Sequence, residues 1–262
     1  VTMSWWDDLW LNESFAEWAS YYTLAKATRF TNSWTVFNAE RKNWAYRQDQ
    51  LSSTHPIAVD MYDLEAVKTN FDGITYAKGA SVLQQLVAYV GLEAFVAGLK
   101  QYFAKHAWGN TTLSDLIVEL EATSGRDLTP WISTWLQTAG VNTFRPEIAI
   151  EGDAYSSVAV KQEAPLVPAG STELRPHRMG VGLYDIKGEK VVLRKRVELD
   201  VAGASTLIAE FEGENVADLL VLNDGDVTYG KLRFDERSIA TLKSHLGNIE
   251  DSLTRALAWS AV

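Results

Sequence analysis

From Leu9 to about Ala139 the apolar residues recur at helical spacing, with turn residues between the segments. Leu11, Phe15, Trp18 and Tyr22 follow i, i+4, i+7, i+11 and predict one apolar stripe on a first helix. A second segment, 34–48, keeps its charges to one side and Trp34, Phe37 and Trp44 among its apolar positions. A third runs from about Tyr76 to Tyr89 through KGASVLQQLVAY. The fourth, LEAFVAGLKQYFAKH, ends in Lys105 and His106, where cations favour a helix C-terminus. Thr112, followed three residues later by Asp115, reads as a capping box opening TLSDLIVELEATSG. Thr129 and Pro130 open another helix, expected to stop at Gly140.

At Val141 the period changes from helical to two. RPEIAIEG, SSVAVKQEA, HRMGVGLYDI, KVVLRKRVEL, STLIAEFEG and DLLVLND alternate, separated by Gly, Asp, Ser and Pro, and predict six strands of a small antiparallel sandwich. Lys187 and Gly188 mark a hairpin turn between two of them. DERSIATLKSHLG and NIEDSLTRALAWSAV return to helical spacing. The expected architecture is therefore α+β and multidomain: a helical unit over 1–141, a β-sandwich over 142–223, and the beginning of a second helical unit over 224–262.

Composition narrows the function classes. With 262 residues, 47% of them hydrophobic, the chain can bury a sizeable core. A formal charge of −10 disfavours nucleic acid as a partner, and the basic run Arg194, Lys195, Arg196 lies in a strand-like segment that reads as a solvated face. No apolar run is long enough to predict membrane insertion. The absence of cysteine excludes disulfides and thiolate metal sites and suits a reducing, cytoplasmic setting. The chain opens on Val1, and its first dozen residues read like the middle of a domain, so it is expected to be a piece of a longer polypeptide.

The chemistry concentrates in WWDDLWLNESFAEW, residues 5–18, where four of the ten tryptophans surround Glu13 and no cation stands nearby in sequence. On a helical wheel Glu13 shares its face with Leu9, Ala16 and Ser20, so its carboxylate needs a partner. Two readings stand: a carboxylate near a helix N-terminus stabilised by the macrodipole, or a metal ligand whose companions lie elsewhere.

This segment resembles the one that follows the H-E-x-x-H helix in the zinc aminopeptidase N family of gluzincin metallopeptidases. ITYAKGASVLQQL (74–86) and GNTTLSDL (109–116) resemble further family segments, and GVNTFRPEI, RPHRMGVGLYD and LVLNDGDVTYGKLRFDE resemble the sandwich and the entry to the C-terminal domain in actinobacterial members. The resemblance covers essentially the whole chain. It implies that 1–141 is the helical part of a thermolysin-like catalytic domain, that Glu13 is the third protein ligand of a zinc ion, and that the Tyr76 hydroxyl stabilises the oxyanion during hydrolysis of peptide N-terminal residues.

The same comparison shows what the chain lacks. H-E-x-x-H, which would place two histidine ligands around a general-base glutamate, occurs nowhere, and neither does the family's G-x-M-E-N motif for the substrate's amino group. The resemblance places the missing histidines just upstream of Val1. His55, His106, His177 and His245 are far apart and read as surface or capping residues. Lys78 reads as a solvated helix-start lysine, and Asp7 and Asp8 as first-turn carboxylates, since adjacent helical residues point in different directions. For Tyr76 the alternative is a core tyrosine.

The expected function is that of a zinc-dependent aminopeptidase, with the isolated chain inactive and binding zinc weakly or not at all. The rival is a non-catalytic scaffold of the same architecture, or a sandwich that binds a ligand through Tyr184 and Phe211. Apolar surface around the tryptophan-rich helix is expected to promote self-association.

Overall fold

The computed structural model describes residues 1–262. A short parallel pair, β1 (Thr2–Met3) with β2 (Asn110–Thr111), ties the start of the chain to its middle. After a 3-10 turn at Trp6–Asp8 comes α1 (Leu9–Ala27). The expected stripe is its packing face: Leu11 and Trp18 are buried, and Trp18 stacks on Tyr22 with ring centroids 5.1 Å apart and meets Phe95 edge-on at 5.3 Å.

The segment 33–48 is α2 (Ser33–Val36) and α3 (Asn43–Gln48) joined by a π-turn at Phe37–Lys42. A short α4 (Leu64–Thr69), not anticipated from the sequence, is capped by the Asp63 carboxylate, which accepts from the Ala66 N–H. A second π-turn, Ile74–Lys78, leads into α5 (Gly79–Val90). It arises because the Gly73 carbonyl accepts from both the Ala77 N–H at 3.0 Å and the Lys78 N–H at 2.9 Å, which admits one extra residue into the turn. Gly91, at φ +89°, turns the chain into α6 (Leu92–Lys105). The capping box of Thr112 and Asp115 forms and opens α7 (Leu113–Ser124).

The last helix of this unit, α8 (Thr129–Leu136), stops short of Gly140. Its C-terminal end is held by Arg175, whose buried guanidinium donates to the carbonyls of Thr134 (3.0 Å) and Ala139 (2.9 Å), to Thr138 Oγ1 and to Asn142 Oδ1. A cation at orphan helix carbonyls does the work that further turns of helix would otherwise do.

All six expected strands form. β3 (Thr143–Glu151), β4 (Ala154–Glu163), β7 (Ser205–Leu207) and β9 (Lys231–Leu232) make one sheet in the order β7-β4-β3-β9. β5 (His177–Lys187), β6 (Lys190–Val201) and β8 (Leu219–Leu222) make the other, in the order β6-β5-β8. The hairpin turn falls at Gly188 and Glu189, one residue later than expected, with Gly188 at φ +65° and Lys187 paired with Lys190. STLIAEFEG is strand only to Leu207; its second half is a 3-10 turn at Ala209–Phe211 that sinks Phe211 into the core.

Two apolar cores result. One gathers residues from Trp10 to Val141 together with Tyr229, and the other runs from Phe144 to Ala258. α9 (Glu236–His245) and α10 (Ser252–Ala261) contribute Leu242, Leu257 and Ala258 to the second core, so these two helices pack into the sandwich's interior. Tyr184 and Phe211 are buried in that core, with the Tyr184 hydroxyl donating to Asp224 at 2.6 Å; neither presents a ligand surface. Nor is the 194–196 run a bare solvated face, because Arg194, Lys195 and Arg196 pair with Asp185, Glu214 and with Glu198 and Asp224. No single helix is long and apolar enough to cross a membrane.

Candidate active-site face

α1 and the π-turn before α5 lie against each other, and the sequence allows this through Gly79. A Cβ built at that position would sit 1.9 Å from Ser14 Oγ, while Ser14 Oγ itself donates to the Thr75 carbonyl at 2.7 Å. The bare glycine therefore lets the backbone of the turn close onto the α1 surface one residue beyond Glu13.

That approach brings Glu13 and Tyr76 together. Tyr76 is half-buried, and its phenol pKa is raised to about 12, by burial first and then by the neighbouring Glu13 carboxylate. The carboxylate acts on the phenol as a hydrogen-bond acceptor and, to a lesser degree, through its charge. A phenol held that high keeps its proton at neutral pH and remains a donor.

A second carboxylate one helical turn along, Glu17, is occupied. Arg41 of the first π-turn donates its Nε to Glu17 Oε1 at 2.5 Å and its Nη2 to Oε2 at 3.1 Å, and its guanidinium lies 4.7 Å from the Trp44 ring centroid. The fork geometry commits both Glu17 oxygens to one cation. Glu13 takes part in no ion pair, which leaves it as the carboxylate on this face free to accept an external cation. Glu13 thus fits as one oxygen ligand of a metal ion. It has no companions in this chain: no three His, Cys, Asp or Glu side chains come together in a way that could hold one.

The remaining sequence candidates fall elsewhere. Lys78, two residues past Tyr76, is fully buried rather than solvated; its Nζ lies 2.8 Å from Asp49 Oδ2 and donates to the Gly140 carbonyl at 3.2 Å. Burial lowers its pKa to about 8 against the opposing pull of Asp49. Asp7 and Asp8 serve tertiary contacts: Asp7 accepts the Met61 N–H at 2.6 Å and Asp8 the Leu113 N–H at 3.0 Å, clamping the start of α1 to the loop before α4 and to the first turn of α7.

Among the histidines, His177 is completely buried between Thr228 Oγ1 (2.7 Å) and Gln162 Oε1 (3.2 Å), and burial holds its pKa well below the ordinary value; it is a core residue, not a surface one. His55 is half-buried against Asp72 at 2.8 Å. Sequence reasoning missed Arg41, Glu17 and Asp72 as parts of this face. For Asp72 a signal existed, since Asp-Gly directly ahead of a helical run is an N-cap pattern. For Arg41 and Glu17 none did, because only the crossing of two helices pairs them.

With this geometry in view, residues 1–135 match the sequence profile described as the Peptidase family M1 domain. Aminopeptidase N of Streptomyces lividans is 54% identical over 268 aligned residues, which cover 100% of this chain and 31% of that protein. Tricorn protease-interacting factor F2 of Thermoplasma volcanium is 43% identical over 143 residues, 53% of this chain and 18% of its own length. Leucyl aminopeptidase of Saccharolobus solfataricus is 37% identical over 149 residues, 57% of this chain and 19% of its own length. The chain spans less than a third of the length of each of these curated relatives.

Proposed function

The chain belongs to peptidase family M1, and from that membership we propose that it supplies one zinc ligand and one oxyanion donor to a zinc-dependent aminopeptidase that removes N-terminal residues from peptides. In this reading residues 1–141 are the helical part of a thermolysin-like catalytic domain. The observation that carries the proposal is the pairing of an uncommitted carboxylate, Glu13, with a phenol, Tyr76, that keeps its proton at neutral pH. Zinc, when bound, supplies a Lewis acid and an acidified water. Glu13 contributes an anionic oxygen to its coordination, which the Arg41–Glu17 pair leaves free by neutralising the adjacent carboxylate. Tyr76 presents its O–H to the charge that develops on the substrate's carbonyl oxygen, and donors of this type act most strongly where water is excluded. Two histidine ligands and a general-base glutamate belong to an H-E-x-x-H helix, a sequence that does not occur in these 262 residues.

The test joins this segment to such a helix. In the active enzyme, Tyr76→Phe is expected to lower kcat by about 10²–10³-fold with little change in KM, the cost of one oxyanion donor. Glu13→Gln is expected to lose zinc, read by elemental analysis. The 262-residue chain by itself is expected to show no hydrolysis of an alanyl-arylamide; robust turnover by the purified chain would remove the proposal's basis. Trp5 and Trp6 are 61% and 40% exposed, and this apolar surface supports self-association of the isolated chain, which sedimentation velocity would detect as a concentration-dependent shift.

A further inference from the structure

The turn that carries Tyr76 is fastened at its start by a single carboxylate. Asp72 Oδ1 accepts the N–H groups of Ile74 (2.9 Å) and Thr75 (3.0 Å), two donors that the first turn of a helix leaves without partners. Its other oxygen, Oδ2, accepts from the Gln48 side-chain amide and stands 2.8 Å from His55 Nε2. Gln48 returns the contact, its Oε1 accepting the Gly73 N–H at 2.8 Å. The whole N-terminal end of the π-turn is thus referred to Asp72, and Asp72 to His55 and Gln48.

His55 is bonded at both ring nitrogens. Nε2 faces the Asp72 carboxylate, and Nδ1 faces the Pro56 carbonyl at 2.7 Å. Both partners are acceptors only, whereas a neutral imidazole has one N–H to give. Two contacts of this length at once require both nitrogens to be protonated. Burial works against that charge, but the hydrogen bonds to Asp72 and Pro56 outweigh it and raise the His55 pKa; Lys78 is the one cation that opposes them. Burial likewise works against the Asp72 charge, and the bonds from His55 and the turn hold that carboxyl below its ordinary value. With side-chain exposures of 20% and 15%, the pair is screened from water on most sides.

We infer that His55, as an imidazolium, and Asp72 are positioning residues for Tyr76: the imidazolium fixes Asp72, Asp72 fixes the π-turn, and the turn sets the phenol beside Glu13. This inference rests on the assignment of Tyr76 as the oxyanion donor. Its pH dependence has a definite sign. A base whose pKa is raised on folding contributes its full stabilisation below the unfolded value and loses it as pH rises through the raised folded value, so the turn loosens on the alkaline side.

Two measurements test it. In the 262-residue chain, heteronuclear NMR of the four histidine rings is expected to show His55 protonated at both nitrogens near neutral pH and titrating above its ordinary value, with Asp72→Asn bringing it back down. A neutral His55 ring near neutral pH would overturn the inference. In an active enzyme containing this segment, His55→Gln is expected to lower kcat by between about 10- and 100-fold, the cost of a small misplacement of a reacting group, and to move the alkaline limb of the kcat profile. In the Tyr76→Phe background it is expected to cost nothing further.

If the two losses instead multiply, His55 acts on something other than Tyr76 and the positioning role falls while the oxyanion assignment stands. If Tyr76→Phe alone leaves kcat unchanged, the oxyanion assignment falls and takes the positioning role with it. Asp72→Asn gives the same kinetic readout should His55→Gln fail to fold.

Discussion

Lys78 and Asp49 face each other at 2.8 Å with both side chains at 0% exposure, so removal of one partner strands the other away from water. Lys78→Met is therefore expected to destabilise the protein by about 3–5 kcal/mol, read as a shift in the urea midpoint at unchanged slope. Replacing Asp49 as well should not restore the loss, because Asp49 Oδ1 also accepts the Gly140 N–H (2.9 Å) and the Thr54 hydroxyl (2.6 Å). Full recovery in a Lys78→Met/Asp49→Leu double variant would show that the pair is dispensable. At this scale the sequence makes a residue conspicuous when it lacks a partner nearby, and Glu13 does stay outside every ion pair of the fold. Sequence reading failed where the partner is remote: Lys78 looks solvated until Asp49 at the end of α3, the Gly140 carbonyl and the Tyr229 ring, 5.6 Å away, close over it.

The contact between α1 and the Tyr76 turn depends on one missing methyl group. A Cβ at Gly79 would meet Ser14 Oγ at 1.9 Å and Ser14 Cβ at 2.9 Å, so Gly79→Ala must push the helices apart. The expected cost is about 1–3 kcal/mol, as for other overpacked sites, together, in an active enzyme containing this segment, with a fall in kcat, because the same displacement moves Tyr76 away from Glu13. Ser14→Ala removes the nearer clash, so the two substitutions should be coupled: Gly79→Ala costs less in the Ser14→Ala background, by denaturation, than in the parent. Additive losses would mean that the turn tolerates the methyl group. Helices and strands themselves were largely legible, since both periods are strong in this chain. The π-turns were not, because the extra residue before Lys78 is admitted by the shared Gly73 carbonyl and by burial of the lysine, neither of which leaves a periodic mark. The end of α8 was overestimated for a related reason: Arg175, from a distant segment, takes the Thr134 carbonyl of the last turn and the Ala139 carbonyl beyond it, holding 137–139 out of the helix, which ends at Leu136.

Across the whole molecule, the change of period at Val141 marks a boundary between the helical unit and the sandwich, yet the junction is sewn with buried polar contacts. Lys42 Nζ of the first π-turn lies 2.6 Å from Asp226 Oδ1 and donates to the Thr228 carbonyl at 2.7 Å; Asn38 donates to Asp226 Oδ2 at 2.9 Å; and the Tyr46 hydroxyl bridges the backbone of Gly230. Tyr229 from that same segment completes the helical core, stacked on Tyr46 at 4.5 Å. Segment 224–230, assigned from the sequence to the start of the second helical unit, is therefore held against the first helical unit by packing, which no local pattern in the chain could announce. If these contacts couple the two cores, they unfold together.

Nine of the ten tryptophans lie in residues 1–135, so tryptophan fluorescence follows the helical unit, while hydrogen exchange of β5 and β8 follows the sandwich. The two probes are expected to give one coincident denaturation curve in the parent chain. Asp226→Ala leaves the Lys42 ammonium buried without its carboxylate and should cost about 3–5 kcal/mol. Because the loss falls on the junction and on neither core, the two curves should also separate, fluorescence moving to lower denaturant ahead of exchange in the sandwich. A coincident shift of both would place the coupling in the apolar contacts of Tyr229, and Tyr229→Ala would then be the variant that splits them.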